Sequence, residues 1–190
     1  SPALPYVLVN MAMTADGKIA TANRRIASFG SRRDLAHLYN LRATADAVMC
    51  GARTASIEDI HLGPGPARCR RRRIERGLAE FNLRLLVSGR GRIDPASPIF
   101  SRRFYPILVL TTELAGKERP REIDGPADQV VVCGRTRIDF RAALAWLRSD
   151  RGWKRLLCEG GGDLNAALFA EALVDEMSLL VFTLLFGGAG

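Results

Sequence analysis

Short, almost continuous apolar runs recur along the whole chain, and this pattern constrains its fold more than any other feature. A run without polar alternation is typical of a strand that is buried on both faces of a sheet. Such runs occupy residues 6–13, 46–51, 83–88, 106–111, 129–133, 154–159 and 177–186. Helical patterns lie between several of them, so the sequence predicts an α/β domain with a mostly parallel central sheet and helices on both faces.

Three stretches predict helices. Ser31 and Asp34 form a capping-box pattern ahead of the first one. Residues 139–149 carry apolar side chains at positions i, i+3, i+4 and i+7, which is the helical period. A third helix, capped by Asp163, follows a run of glycines. Residues 56–77 show no clear period and are rich in Gly, Pro and Arg, so they are predicted to form an irregular loop.

The composition is typical of an ordinary globular domain, and the chain carries a strong positive charge. The chain has 190 residues, of which 47% are hydrophobic and 25% charged, and it is long enough to bury a core as one domain. No apolar run is long enough to span a bilayer. The four cysteines are scattered, which favours reduced thiols and the cytoplasm. The net charge of +8 suggests an anionic partner, which could be nucleic acid, an acidic membrane or a phosphorylated small molecule.

The strongest local signal is a buried strand that leads through three glycines directly into a helix, in residues 155–164. Glycines allow a backbone to approach a bulky anion, and a helix N-terminus offers unpaired N–H groups and a positive dipole end. This combination suits a pyrophosphate. The spacing is neither G-x-G-x-x-G nor a P-loop, which disfavours a standard Rossmann domain or an NTPase. A tight turn without a ligand is the simpler alternative.

Polar residues follow other predicted strands, and ligands of parallel sheets bind at the carboxyl ends of strands. Residues 10–18 follow the first strand, although a turn would explain them too. Glu58 and Asp59 follow the second strand and could serve in acid–base work or remain solvated. The arginine-rich run 68–73 could hold a phosphate through fork-like hydrogen bonds or form a solvated basic surface. The two histidines belong to no metal-binding motif, so a catalytic metal is not expected.

These segments, taken together and in order, resemble the reductase domain of the bifunctional riboflavin-biosynthesis proteins and its stand-alone relatives. The resemblance rests on residues 11–20, 41–48, 51–54, 85–88, 93–95, 159–162, 173–176 and 186–188. The chain departs from the family at residues 58–60, where Glu-Asp-Ile replaces the usual Asp-Asp-Pro, and at Asn10, where a lysine often stands. The family's C-terminal hairpin is also missing, so we expect residues 1–190 to form a single reductase domain that lacks it, with more chain following in the intact protein.

The resemblance implies a dihydrofolate-reductase-like fold and an NADPH-dependent reduction of a 5-phosphoribosylamino-pyrimidine to its ribitylamino form. We also expect a cytoplasmic homodimer without a metal, a nucleic-acid partner or a membrane partner. The residues that the resemblance assigns to the cofactor are Ala12, Thr54, Glu58, Ser88, Gly161, Gly162, Asp163, Leu164 and Asn165. Those that it assigns to the substrate are Ser28, Arg42, Leu62 and Glu159. Glu58 is the leading candidate for proton donor.

The sequence leaves two alternative roles for each of two arginines. Arg42 either grips the ribose phosphate or caps its helix and pairs with Asp46. Arg53 either binds the 2′-phosphate that distinguishes NADPH from NADH or is a solvated surface residue.

Three other functions compete with this interpretation. A reductase of the same fold could act on a pterin or another small substrate, because a shared fold does not determine the substrate. The positive charge would also suit a nucleic-acid-binding module, although no aromatic side chains are interleaved with the arginines for stacking on bases. A dimeric relative that has lost catalysis is the third possibility, because of the altered residues 58–60.

Overall fold

One parallel sheet forms the centre of the protein. The computed structural model describes residues 3–19, 31–57, 60–101, 104–118 and 127–187. Within these residues the sheet has seven strands, and every neighbouring pair is parallel. The strands are β1 (Tyr6–Thr14), β2 (Ala47–Gly51), β3 (Leu83–Val87), β4 (Ile107–Thr111), β5 (Gln129–Val132), β6 (Arg155–Cys158) and β7 (Glu176–Phe182). They lie side by side in the order β5-β4-β3-β2-β6-β1-β7.

Helices cover both faces of this sheet. They are α1 (Arg32–Arg42), α2 (Ala52–Ile57), α3 (Ala67–Glu75), α4 (Pro98–Ser101), α5 (Glu113–Glu118), α6 (Phe140–Asp150) and α7 (Gly162–Ala170). On one face, Val7 of β1 belongs to a buried cluster with Leu144 of α6 and Leu168 of α7. On the other face, Leu8 belongs to a cluster with residues of α2 and α4, among them Ile99. The predicted α/β architecture is therefore confirmed, and the apolar runs lack alternation because both faces of the sheet are buried.

Two predicted helix starts are confirmed and a third is corrected. The Ser31 side chain accepts from the Asp34 N–H, and Asp34 in turn accepts from the Ser31 N–H. Asp139 caps α6 by accepting from the Ala142 N–H at 2.8 Å. The prediction that Asp163 caps α7 is wrong, because Gly161 is the N-cap residue and Asp163 lies in the first turn.

The prediction of an irregular loop over residues 56–77 is wrong for residues 67–75, because all of α3 lies there, and the last two residues of α2 overlap the start of the predicted loop. The period of α3 is concealed because one of its two buried side chains is Arg73, only 1% exposed; the other is Cys69. The guanidinium of Arg73 donates to the backbone carbonyls of Arg42, Ala45 and Ala79. Arginine thus occupies a core position because backbone carbonyls at the end of α1 accept its hydrogen bonds.

We expect Ala172→Gly to raise the free energy of unfolding by about 0.5–1 kcal/mol. Ala172 has a φ of 51° in the turn that ends α7, where its N–H donates to Phe169 and the N–H of Leu173 donates to Leu168. This left-handed position favours glycine over any residue with a Cβ. Urea denaturation measures the change. The control is Ala166→Gly, at an exposed position in the interior of α7, which should lower stability by about 1 kcal/mol; equal losses from both variants would contradict the prediction.

Candidate active site at the carboxyl edge of the sheet

The strand order brings the residues assigned to the cofactor into one row. Ala12 lies near the end of β1, the glycines follow β6, Thr54 follows β2 and Ser88 follows β3. These strands are direct neighbours in the order β1-β6-β2-β3. Adjacent strands lie about 4.8 Å apart, so the row is about 15 Å long. An extended dinucleotide can lie along such a row, with one end over β1 and the other over β3.

The glycine turn stands in the middle of this row. Gly160 and Gly161 have φ angles of 86° and 94°, which favour glycine. A Cβ on Gly161 would lie 2.9 Å from Thr54 Oγ1, so the two segments touch across the gap between β6 and β2. Helix α7 begins immediately afterwards with no side-chain cap. Its first N–H groups are therefore available to an anion, and the turn fits a pyrophosphate.

The other residues of this turn take different positions. Leu164 and Asn165 are buried beneath it, and the Asn165 amide accepts from Cys158 Sγ at 3.4 Å. Burial raises the pKa of the Cys158 thiol to about 12, which keeps it protonated as that donor. Asp163 is exposed and lies 3.7 Å from the guanidinium of Arg53. Asn165 and Leu164 thus support the turn from the core side, while Asp163 stands on its outer rim.

Ser88 begins a second rigid turn, two strands away from the glycines. It is buried, and its hydroxyl donates to the Arg92 carbonyl at 3.2 Å. Its own carbonyl accepts from Thr111 Oγ1 at 2.9 Å. The turn is therefore anchored to both β3 and β4.

Arg42 and Glu159 form a buried ion pair beside the row. Both carboxylate oxygens of Glu159 accept from the guanidinium of Arg42 at 2.6 Å. The two side chains are 6% and 11% exposed. A third donor of Arg42 bonds the Gly63 carbonyl at 2.9 Å. Burial opposes the positive charge, but the Glu159 carboxylate outweighs it, and the pKa of Arg42 is raised above its usual value.

The sequence-based alternative for Arg42, a pair with Asp46, is wrong. The carboxylate of Asp46 instead accepts from the backbone N–H groups of Lys154 and Arg155 at 2.8 and 2.9 Å, where it holds the start of β6. Arg42 points to the opposite end of that strand, since Glu159 follows its last residue. Asp46 is close to the end of α1 in sequence, whereas Glu159 is 117 positions away, so only the fold decides which carboxylate Arg42 meets.

Leu62 connects this ion pair to the core. Its side chain is fully buried and its φ is 51°, a left-handed conformation that costs an ordinary residue about 1–2 kcal/mol. Asn82 Nδ2 donates to the Leu62 carbonyl at 2.7 Å, and Arg42 holds the next carbonyl, that of Gly63. Backbone strain that is held in place in this way is common at functional sites. The whole residue is 0% exposed, so Leu62 supports the site from beneath rather than presenting a surface to a substrate.

Ser28 and Glu58, together with Asp59, lie outside the described residues, so their assigned roles stay predictions. Asn82 was missed by the sequence interpretation, and Asp46 was considered only as a partner of Arg42. Both are polar residues just before a buried strand, at Leu83 and Ala47, and that position is the signal that could have singled them out. In the described part of the chain, no group of three His, Cys, Asp or Glu side chains could hold a metal ion. None of the described helices is long and apolar enough to cross a membrane.

Asp16, in the turn after β1, holds the C-terminal segment beside this edge, and we expect acid to release it. Its carboxylate accepts from the hydroxyl of Thr14 and the N–H groups of Phe186 and Gly187. The Thr14 hydroxyl foremost, and then these N–H groups, lower the pKa of Asp16. A lowered pKa means that the contacts are complete above the usual value of 3.8 and are lost as the pH falls through the folded-state value.

The amide resonances of Phe186 and Gly187 measure this release during an acid titration. In an Asp16→Ala control, the chemical shifts of these two amides at neutral pH should equal those of the wild-type protein in acid. Amide resonances that stay in place while the Asp16 carboxyl titrates would contradict the prediction.

The fold and this edge define the class of the protein: an α/β domain with a parallel sheet, a class in which ligands usually bind at the carboxyl ends of the strands. The family model described as "RibD C-terminal domain" matches residues 5–190. The chain therefore belongs to the RibD C-terminal domain family. The resemblance to the reductase domain of riboflavin biosynthesis is confirmed.

Two curated proteins are similar along almost the whole chain. Both are named 2,5-diamino-6-ribosylamino-4(3H)-pyrimidinone 5′-phosphate reductase. The protein of Archaeoglobus fulgidus is 34% identical, over 97% of this chain and 83% of that protein. The protein of Methanothermobacter thermautotrophicus is 32% identical, over 97% of this chain and 80% of that protein.

Solved structures share the fold. RibD of Acinetobacter baumannii superposes with a TM-score of 0.76 at 23% identity, and the alignment covers 97% of this chain and 48% of that one. The chain thus spans about half the length of that protein. A pyrimidine reductase-like protein of Corynebacterium diphtheriae also has a TM-score of 0.76 at 23% identity, over 92% of this chain and 73% of that one. These likenesses confirm the dihydrofolate-reductase-like fold.

Proposed function

We propose that this protein reduces 2,5-diamino-6-ribosylamino-4(3H)-pyrimidinone 5′-phosphate to its ribitylamino form with NADPH. The observation that carries the proposal is the row of glycine turn, Thr54 and Ser88 beside the buried pair of Arg42 and Glu159. The two relatives that match nearly the whole chain bear the name of this activity. The deaminated uracil compound is the second candidate, because the bifunctional family members carry a deaminase function in their names.

The protein contributes binding and orientation to this reaction. When bound, NADPH supplies a hydride to the sugar carbon that bears the amine, and the opened ring oxygen takes up a proton. The glycine turn and the first N–H groups of α7 bind the pyrophosphate. Arg42 holds the Glu159 carboxylate in one orientation, next to the Gly63 carbonyl that Arg42 also binds. Glu58 stays our candidate for the proton.

The decisive experiment follows the loss of NADPH absorbance with the diamino and the uracil substrates side by side, each with NADPH and with NADH. We expect turnover with NADPH and a higher kcat/KM for the diamino compound. A higher kcat/KM for the uracil compound would reverse the substrate assignment. Absence of turnover with both compounds, in protein that binds NADPH, would favour a reductase of another small substrate or a relative that has lost catalysis.

We further propose that the protein works as a homodimer that pairs through β7. This strand is an edge of the sheet, and Met177, Leu179 and Val181 on one of its faces are 40–55% exposed. Exposed apolar edge strands favour pairing with another chain. Sedimentation should show a dimer, and Leu179→Lys should give a folded monomer. A wild-type protein that is monomeric at all concentrations would overturn the proposal.

We also propose a cytoplasmic location and no nucleic-acid partner. Cys50, Cys69 and Cys158 are free and buried, as suits a reducing compartment. Part of the positive charge serves the fold, because Arg73 and Arg84 are 1% exposed and donate to backbone carbonyls. Affinity for random duplex DNA that falls steeply with salt would contradict the proposed absence of a nucleic-acid partner.

A further inference from the structure

The side chains of two arginines at the turn after β3 have no polar partner within the described part of the chain. Arg90 and Arg92 are exposed. Neither guanidinium makes a hydrogen bond or an ion pair with another residue that the structure describes. Arg53, by contrast, already lies 3.7 Å from the Asp163 carboxylate. The two free cations are therefore available to an anionic group at the β3 end of the cofactor row.

The turn presents Arg90 from a rigid backbone. The Gly91 N–H donates to the Ser88 carbonyl at 3.1 Å, which places Arg90 at the tip of a four-residue turn. The Ser88 and Gly89 carbonyls also accept from the hydroxyls of Thr111 and Thr112, at 2.9 and 3.0 Å. An arginine on an anchored turn loses less freedom on binding than one on a loose loop.

The position of the turn matches one particular group of the cofactor. The glycine turn follows β6, and the Ser88 turn lies two strands further along, about 10 Å away at the usual strand spacing. In a dinucleotide, the adenosine ribose and its 2′-substituent come next after the pyrophosphate. With the pyrophosphate over the glycine turn and the nicotinamide toward β1, that ribose lies toward β3. Arg53 follows β2 and stands only one strand from the glycines.

We propose that Arg90 binds the 2′-phosphate of NADPH and so determines the preference for NADPH over NADH, whereas Arg53 lies beside the pyrophosphate that both cofactors share. A guanidinium can hold a phosphate through two parallel hydrogen bonds. The proposal rests on the proposed function, because it requires that a nicotinamide dinucleotide occupies the row.

Calorimetry with the full chain tests this assignment through binding alone. Arg90→Gln should weaken NADPH, and also 2′,5′-ADP, by about 10- to 100-fold and leave NADH unchanged. Arg53→Gln, the matched control, should change the affinities for NADPH and NADH by the same factor. Arg92→Gln separates the two free arginines and should leave the NADPH preference intact.

The outcomes distinguish a failure of the Arg90 assignment from a failure of the proposed function. If the wild-type protein binds NADPH but Arg90→Gln keeps the same preference, or if Arg92→Gln carries the loss instead, only the assignment of Arg90 is overturned. If the wild-type protein binds neither NADPH nor NADH, the proposed function and this inference are both overturned.

Discussion

Arg42→Met should lower the free energy of unfolding by about 3–5 kcal/mol, because it leaves the carboxylate of Glu159 buried without its partner. Methionine keeps most of the volume of the side chain, so lost packing contributes little. The Gly63 carbonyl also loses its donor. Urea denaturation measures the change, and at this chain length the midpoint temperature should fall by about 6–20 °C.

A double-mutant cycle identifies the source of the loss. Arg42→Met combined with Glu159→Met removes both charges and should recover most of the stability, since apolar residues of similar volume often replace a buried ion pair at little cost. Glu159→Gln tests the same pair from the other side and is useful if Arg42→Met is too unstable to purify. Additive losses in the double variant would show that the pair is not coupled.

Kinetics decide whether Arg42 also touches the substrate. A guanidinium that grips the ribose phosphate would give an Arg42→Met variant with near wild-type stability and a KM for the pyrimidine raised by tens-fold or more, about 2–5 kcal/mol of binding. The structure favours the positioning role, because the donors that bond Glu159 and Gly63 are engaged within the fold. Unchanged stability would assign Arg42 to the substrate instead.

Gly161→Val should abolish detectable cofactor binding and lower the free energy of unfolding by about 1–3 kcal/mol. The sequence alone predicts a loss of binding with little effect on folding. The structure adds a folding cost, because Gly161 has a φ of 94° and a Cβ would lie 2.9 Å from Thr54 Oγ1. The same side chain would occupy the space above the first N–H groups of α7.

Gly77→Val is the matched control for this variant. Gly77 has a φ of 72°, and a side chain there would meet no atom within 4 Å. It follows α3, away from the glycine turn. Both variants should lose comparable stability through backbone strain, and only Gly161→Val should lose affinity for the cofactor. Normal NADPH affinity in folded Gly161→Val protein would show that the pyrophosphate does not bind at the glycine turn.

The sequence was most informative where the cause of a structure is local. The apolar runs predict the strands because a buried parallel strand needs apolar side chains on both faces. The Ser31–Asp34 box predicts the start of α1 because both partners of each hydrogen bond lie within four residues. The three glycines predict a tight strand-to-helix connection because the left-handed φ angles there exclude most other residues.

Sequence patterns were misleading where the contacts of a residue come from distant segments of the chain. Helix α3 lacks an apolar period because Arg73 is buried, and two of its three carbonyl acceptors, at the end of α1, are 28 and 31 residues away. Cap preference suggested Asp163 at the start of α7, but the close approach of Thr54 favours Gly161 there. No window of sequence contains both members of such a pair.

The sequence by itself thus determined the class of fold, the glycine turn and the set of candidate residues, because each depends on side chains that are neighbours along the chain. Only the tertiary structure decided how those residues are used. The strand order β1-β6-β2-β3 aligns Ala12, Gly161, Thr54 and Ser88 in one row, and the tertiary fold pairs Arg42 with Glu159 rather than with Asp46. The reason is physical: charge pairing and strand adjacency depend on distance in space, and Arg42 and Glu159, which are 117 positions apart along the chain, are brought together only by the fold.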